Sequence, residues 1–105
     1  MDARAQDAWG ASTRRALRHL SPAHFGYGDP AGDPGLRAAV ADYLRAARGV
    51  VCDTEQVIVT AGAQHAVDLA VRLLLKPGDR VWLEDPGYAN TWQALLAAEI
   101  GRAHV

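Results

Sequence analysis

Thr60-Ala61-Gly62-Ala63-Gln64-His65-Ala66 is a glycine turn set between a β-branched run, Val57-Ile58-Val59-Thr60, and a stretch with helical periodicity. A strand that turns at glycine into a helix leaves the first N–H groups of that helix without backbone acceptors, and such groups attract a phosphate. A second turn, Glu84-Asp85-Pro86-Gly87-Tyr88, follows a second β-run and carries a ring that can lie against a flat heterocycle. Together the two turns read as half of a ligand cradle.

Working outward, Val57-Ile58-Val59-Thr60 has no polar alternation, as a strand covered on both faces requires. After Gly62, a stripe of Ala63, Val67, Ala70, Val71 and Leu74 predicts a helix that closes at Lys76-Pro77-Gly78-Asp79. Arg80-Val81-Trp82-Leu83-Glu84 reads as the next strand, and Tyr88, Trp92, Leu95 and Leu96 as the face of another helix. Strand, helix, strand, helix is an α/β order, with a right-handed parallel crossover expected. Toward the N-terminus, Asp33-Pro34 supplies an N-cap and a first-turn proline. Leu36, Val40, Tyr43, Leu44 and Ala47 then recur at helical spacing until Gly49. Residues 21–35 hold three prolines and four glycines around Phe25 and Tyr27, and so predict a structured loop. A polar helix is expected over residues 7–20, and Asp53-Thr54-Glu55-Gln56 is a polar turn. Two strands make too small a sheet to cover themselves, so the parallel sheet is expected to be incomplete.

Composition narrows the functional classes. The chain has 105 residues, half of them apolar and 22% charged, with a net charge of −1, which fits one small globular domain. Its arginines are scattered among acids and form no basic stripe, so this segment is not expected to contact nucleic acid. Cys52 is alone, with no metal-ligand spacing around it, and reads as a small core residue in a reducing compartment. No run is long enough for a membrane span and the N-terminus lacks the apolar core of a secretion signal, so a cytoplasmic location is expected.

Several motifs occur in order. Tyr27-Gly28-Asp29-Pro30-Ala31-Gly32, Leu36-Arg37, Arg48-Gly49-Val50, residues 57–64, Leu75-Lys76-Pro77-Gly78-Asp79 and Glu84-Asp85-Pro86-Gly87-Tyr88 together resemble the class I/II aminotransferases. More narrowly, the chain resembles the aminotransferase-like domain of MocR-type transcriptional regulators, in which a winged helix-turn-helix precedes a pyridoxal phosphate domain. The resemblance implies part of a fold type I large domain with pyridoxal 5′-phosphate as cofactor. It also implies a homodimer for the whole domain, and DNA contact only through a helix-turn-helix upstream of this segment.

The resemblance assigns Gly62, Ala63 and Gln64 to the loop whose N–H groups hold the cofactor phosphate. Tyr88 would stack on the pyridine ring. Tyr27 would reach the phosphate of the other subunit, and the Asp85-Pro86 bond falls where relatives often have a cis peptide. Taken singly, the Gly62 turn also reads as a plain connection, Tyr88 as a helix-start anchor and Tyr27 as a loop anchor. His65 reads as a packing or surface histidine. The lysine that joins the cofactor, its ring-nitrogen acid and a substrate-binding arginine lie farther along in the family. Lys76 stands at the far end of a helix from the Gly62 turn and cannot replace that lysine, so no catalytic residue is expected here and the chain alone is expected to be inactive.

Residues 1–99 are thus expected to be the N-terminal part of a pyridoxal phosphate domain, either aminotransferase or cofactor-sensing regulator. Residues 100–105, Ile-Gly-Arg-Ala-His-Val, resemble a translated sequencing adapter, carry no strand or turn pattern and are expected to be non-native. The alternatives are a self-contained α/β module that binds a phosphorylated ligand and a translated fragment without a role.

Overall fold

The computed structural model describes residues 2–102, and the chain divides after Ile58 into two compact units. In the first unit, α1 (Ala3–Arg18) begins earlier than its periodicity suggests. Asp2 caps it, its carboxylate accepting the Ala5 N–H at 2.8 Å. Helix α1 buries none of its residues, and Trp9 and Leu17 are exposed. A 3-10 turn at Pro22–Phe25 leads into the glycine loop.

Helix α2 (Pro34–Arg48) starts and stops where the sequence places it. Asp33 accepts the Leu36 N–H at 2.9 Å, Pro34 fills the first turn, and Gly49 closes the helix in the left-handed region at φ 63°. Its buried face is shifted by about one residue from the apolar stripe. Arg37 and Ala41 are buried whereas Leu36 and Tyr43 are exposed, because a paired guanidinium takes an inner position. A second 3-10 turn, Thr54–Gln56, packs against α2. Cys52 is half-buried there, its thiol facing the Ala41 carbonyl.

The second unit contains α3 (Ala63–Leu74), β1 (Arg80–Val81), α4 (Ala89–Ala97) and β2 (Gly101–Arg102). Strands β1 and β2 pair in parallel, Arg80 opposite Gly101 and Val81 opposite Arg102. Val71, Leu95 and Ile100 form the core, with Val67, Leu75, Val81, Leu83, Trp92 and Ala98 packed around it.

Two expectations change here. The run at residues 57–60 is not paired in a sheet among the described residues, and Ile58 and Val59 are exposed. A β-branched run becomes a strand only when a neighbour accepts its ladder, and no neighbour is present among the described residues. Residues 100–102 are structured, contrary to the absence of strand logic in their sequence. Glu99 takes a left-handed φ of 60°, which turns the chain back so that Ile100 enters the core and the Gly101 N–H reaches the Asp79 carbonyl at 2.8 Å. Residues 103–105 lie outside the described part. No helix among the described residues is long and apolar enough to cross a membrane.

Leu95 is 2% exposed and central to this small core. Leu95→Ala should destabilise the second unit by about 2–5 kcal/mol, read as a lower urea midpoint. Gly87 is required by close approach, since a Cβ there would sit 2.6 Å from the Glu84 carbonyl oxygen. Gly87→Ala should cost about 1–3 kcal/mol in the same titration, because backbone and not a flexible side chain must move.

Candidate functional site

The corner at Gly62 is built by short-range bonds. Gly62 is the N-cap of α3 and supplies no side-chain acceptor to its first turn. Its carbonyl accepts the Ala66 N–H and the Thr60 hydroxyl, both at 3.0 Å, which fixes the peptide on the outer side of the turn. The N–H groups of Ala63 and Gln64 fall in the helix turn that has no intrahelical acceptors. A Cβ placed on Gly62 would meet nothing within 4 Å, so the space beside its α-carbon is open. The positive end of the α3 dipole adds to the pull on an anion there.

His65 does more than the packing or surface reading of its position implies. It is exposed, and its Nδ1 accepts the Ala61 N–H at 3.0 Å. The sequence signal for this bond is a side-chain acceptor four residues beyond a donor at a glycine turn, which is faint beside the helical stripe.

The Tyr88 turn lies in the same unit. Asp85–Pro86 is cis, and Tyr88 is the N-cap of α4 with its ring 63% exposed. A two-step polar chain joins the turns. The Gln64 amide nitrogen donates to the Asn90 carbonyl at 3.5 Å, and the Asn90 amide donates to the Tyr88 hydroxyl at 2.8 Å. Beside Tyr88 is an open depression of about 430 Å³ walled by Trp82, Leu83, Glu84, Gly87 and Trp92. Two aromatic faces and a tyrosine at a helix start suit a flat ring better than an extended chain.

Tyr27 belongs to the first unit. Its ring is fully exposed, and no hydrogen bond reaches its side chain among the described residues. The turn that follows it is tightly bonded: Asp29 accepts the Ala31 N–H at 2.8 Å through Oδ1 and the Gly32 N–H at 2.9 Å through its carbonyl. Lys76 follows the C-terminal end of α3, its backbone N–H donating to Asp79 at 2.9 Å. The twelve residues of α3 put it about 18 Å from the Gly62 corner along the helix.

The sequence pattern of the family described as aminotransferase class I and II matches residues 3–104. Over 90 residues the chain is 44% identical to the probable rhizopine catabolism regulatory protein MocR of Rhizobium meliloti, covering 86% of this chain and 18% of that protein. It is 39% identical to the arginine–pyruvate transaminase AruH of Pseudomonas aeruginosa, covering 79% of this chain and 21% of that enzyme. Among solved structures, an archaeal alanine:glyoxylate aminotransferase superposes with a TM-score of 0.77 at 29% identity, over 95% of this chain and 24% of that one. The chain spans about a fifth of the length of the curated relatives it matches. It belongs to the class I and II aminotransferase family and carries part of the pyridoxal phosphate-dependent aminotransferase fold.

Proposed function

We propose that this chain is the segment of a pyridoxal phosphate domain that grips the cofactor's phosphate and one face of its ring. The observation that carries the reading is the open corner at the start of α3, uncapped by any side chain and linked through Gln64 and Asn90 to the exposed Tyr88. In this reading the N–H groups of Gly62, Ala63 and Gln64 hold the phosphate dianion and Tyr88 stacks on the ring. Tyr27 offers its hydroxyl to the phosphate of a second copy. When bound, the cofactor supplies an electron sink for chemistry at an amino acid's α-carbon. The residues of this segment orient the group, and none of them moves a proton on the substrate.

The whole protein is a homodimer in this proposal. A MocR-type regulator is favoured over a free-standing aminotransferase by the 44% identity to a regulatory relative. DNA would then be gripped by a helix-turn-helix upstream, with the cofactor domain as sensor. The lysine joined to the cofactor belongs to the rest of the domain, so this segment alone is inactive, and the division at residue 99 belongs to the same proposal.

The test compares pyridoxal 5′-phosphate with pyridoxal, which has the same pyridine ring but no phosphate. Binding is followed by quenching of tryptophan fluorescence, since Trp82 and Trp92 wall the depression. The chain lacks a covalent anchor and a second subunit, so a dissociation constant on the order of millimolar is expected for the phosphorylated form. Pyridoxal should bind more weakly still. Gly62→Ala should leave stability within about 0.5 kcal/mol, because its methyl group meets open space. The same change should weaken pyridoxal 5′-phosphate binding about tenfold, because the methyl group takes open space that the phosphate would occupy. Equal binding of the two compounds would overturn the proposal.

A further inference from the structure

Arg37 is the only charged residue buried among those described, 4% exposed, and a guanidinium withdrawn from water is tolerated only where its donors are matched. Its partners are not on its own helix. Nη2 donates to Asp29 Oδ2 at 2.7 Å and Nε donates to the Gly32 carbonyl at 3.2 Å, so the planar fork spans both ends of the turn from Asp29 to Gly32. Asp29 spends its other acceptors inside the turn, on Ala31 and Gly32. Gly32 completes the geometry at φ 113°, a conformation that side chains disfavour. The cluster anchors a stiff turn to α2 just two residues after Tyr27, whose own ring is fully exposed.

The geometry points to Arg37 as the positioning residue for Tyr27. By pinning the turn to the first helical residues of α2, it fixes the approach of the Tyr27 hydroxyl before any phosphate arrives. The ordering cost then falls on folding instead of on binding. This inference rests on the reading of Tyr27 as a phosphate ligand. Lysine would keep the charge but offer a single point donor that cannot span Asp29 and Gly32 together.

The experiment uses the full chain. Solvent exchange of the Ala31 and Gly32 amides is measured by NMR, alongside amides in the middle of α2. Arg37→Met should speed both turn amides about tenfold, the effect of losing a charge-assisted bond, with α2 unchanged and Arg37→Lys restoring part of the protection. If Arg37→Met melts α2, Asp29→Asn reads the same contact from the loop, since asparagine retains the acceptor for Ala31 but loses the ion pair. Unchanged Gly32 exchange in Asp29→Asn, or unchanged turn exchange in a folded Arg37→Met, overturns the proposal. In pyridoxal 5′-phosphate titrations of the full-length homodimer, where Tyr27 can meet the phosphate of a second copy, Arg37→Met and Tyr27→Phe should each weaken binding about three- to tenfold, and the double variant should be no weaker than the worse single one. Effects that multiply would show that Arg37 does not act through Tyr27. If the Tyr27→Phe homodimer binds as well as the unaltered homodimer while the turn is still freed by Arg37→Met, the phosphate role of Tyr27 fails. The clamp then stands without the positioning role.

Discussion

The first turn of a helix has N–H groups that no carbonyl of that helix can reach, and at Gly62 no side chain supplies a substitute. Short-range bonds hold that corner. Thr60 and Ala66 fix the Gly62 carbonyl, His65 fixes the Ala61 N–H, and Gln64 reaches across to the start of α4. None of these bonds caps the N–H groups of the first turn of α3 with a Gly62 side chain. Thr60, His65 and Gln64 instead spend their hydrogen bonds on neighbouring backbone groups.

Sequence revealed what is local. Helix α2 was legible end to end because Asp33, Pro34 and Gly49 each act within a few residues of the boundary they set. The Gly62 and Asp85–Pro86 turns were legible for the same reason, as short motifs in register, whereas the cis bond was suggested only by the family resemblance, trans being the ordinary expectation for a single X-Pro bond. The unpaired run at 57–60 was not, because a strand is defined by a partner elsewhere in the chain. The start of α1 was not legible because Asp2 lies ahead of the apolar pattern of that helix. Ile100 was missed because its burial depends on Glu99 turning the chain back, an event with no signature in residue type. Arg37 was seen as part of a motif, but its bonds reach five and eight residues back to a loop, and its burial could not be read from helical spacing.

Exposed apolar residues carry the same message as the two-strand sheet. Leu73, Leu74 and Trp82 in the second unit and Val51 in the first are more than two-thirds exposed or close to it. Chains of this composition ordinarily bury such side chains. Here a segment about a quarter as long as a solved relative keeps the local turns of the fold, while the layers that would cover its outer faces are not among the described residues. The local turns need few partners, which is why the Gly62 turn is formed although the sheet has only two short strands among the described residues.

The most direct measurement is a residue-by-residue NMR titration of the amide groups with inorganic phosphate. The account predicts that the Ala63 and Gln64 N–H signals shift the most and saturate together, while amides at the start of α2, where Asp33 already caps the helix, stay in place. Shifts spread evenly over the arginines, or an equal response at α2, would contradict it, because the corner at Gly62 would then be no better an anion site than any other helix start.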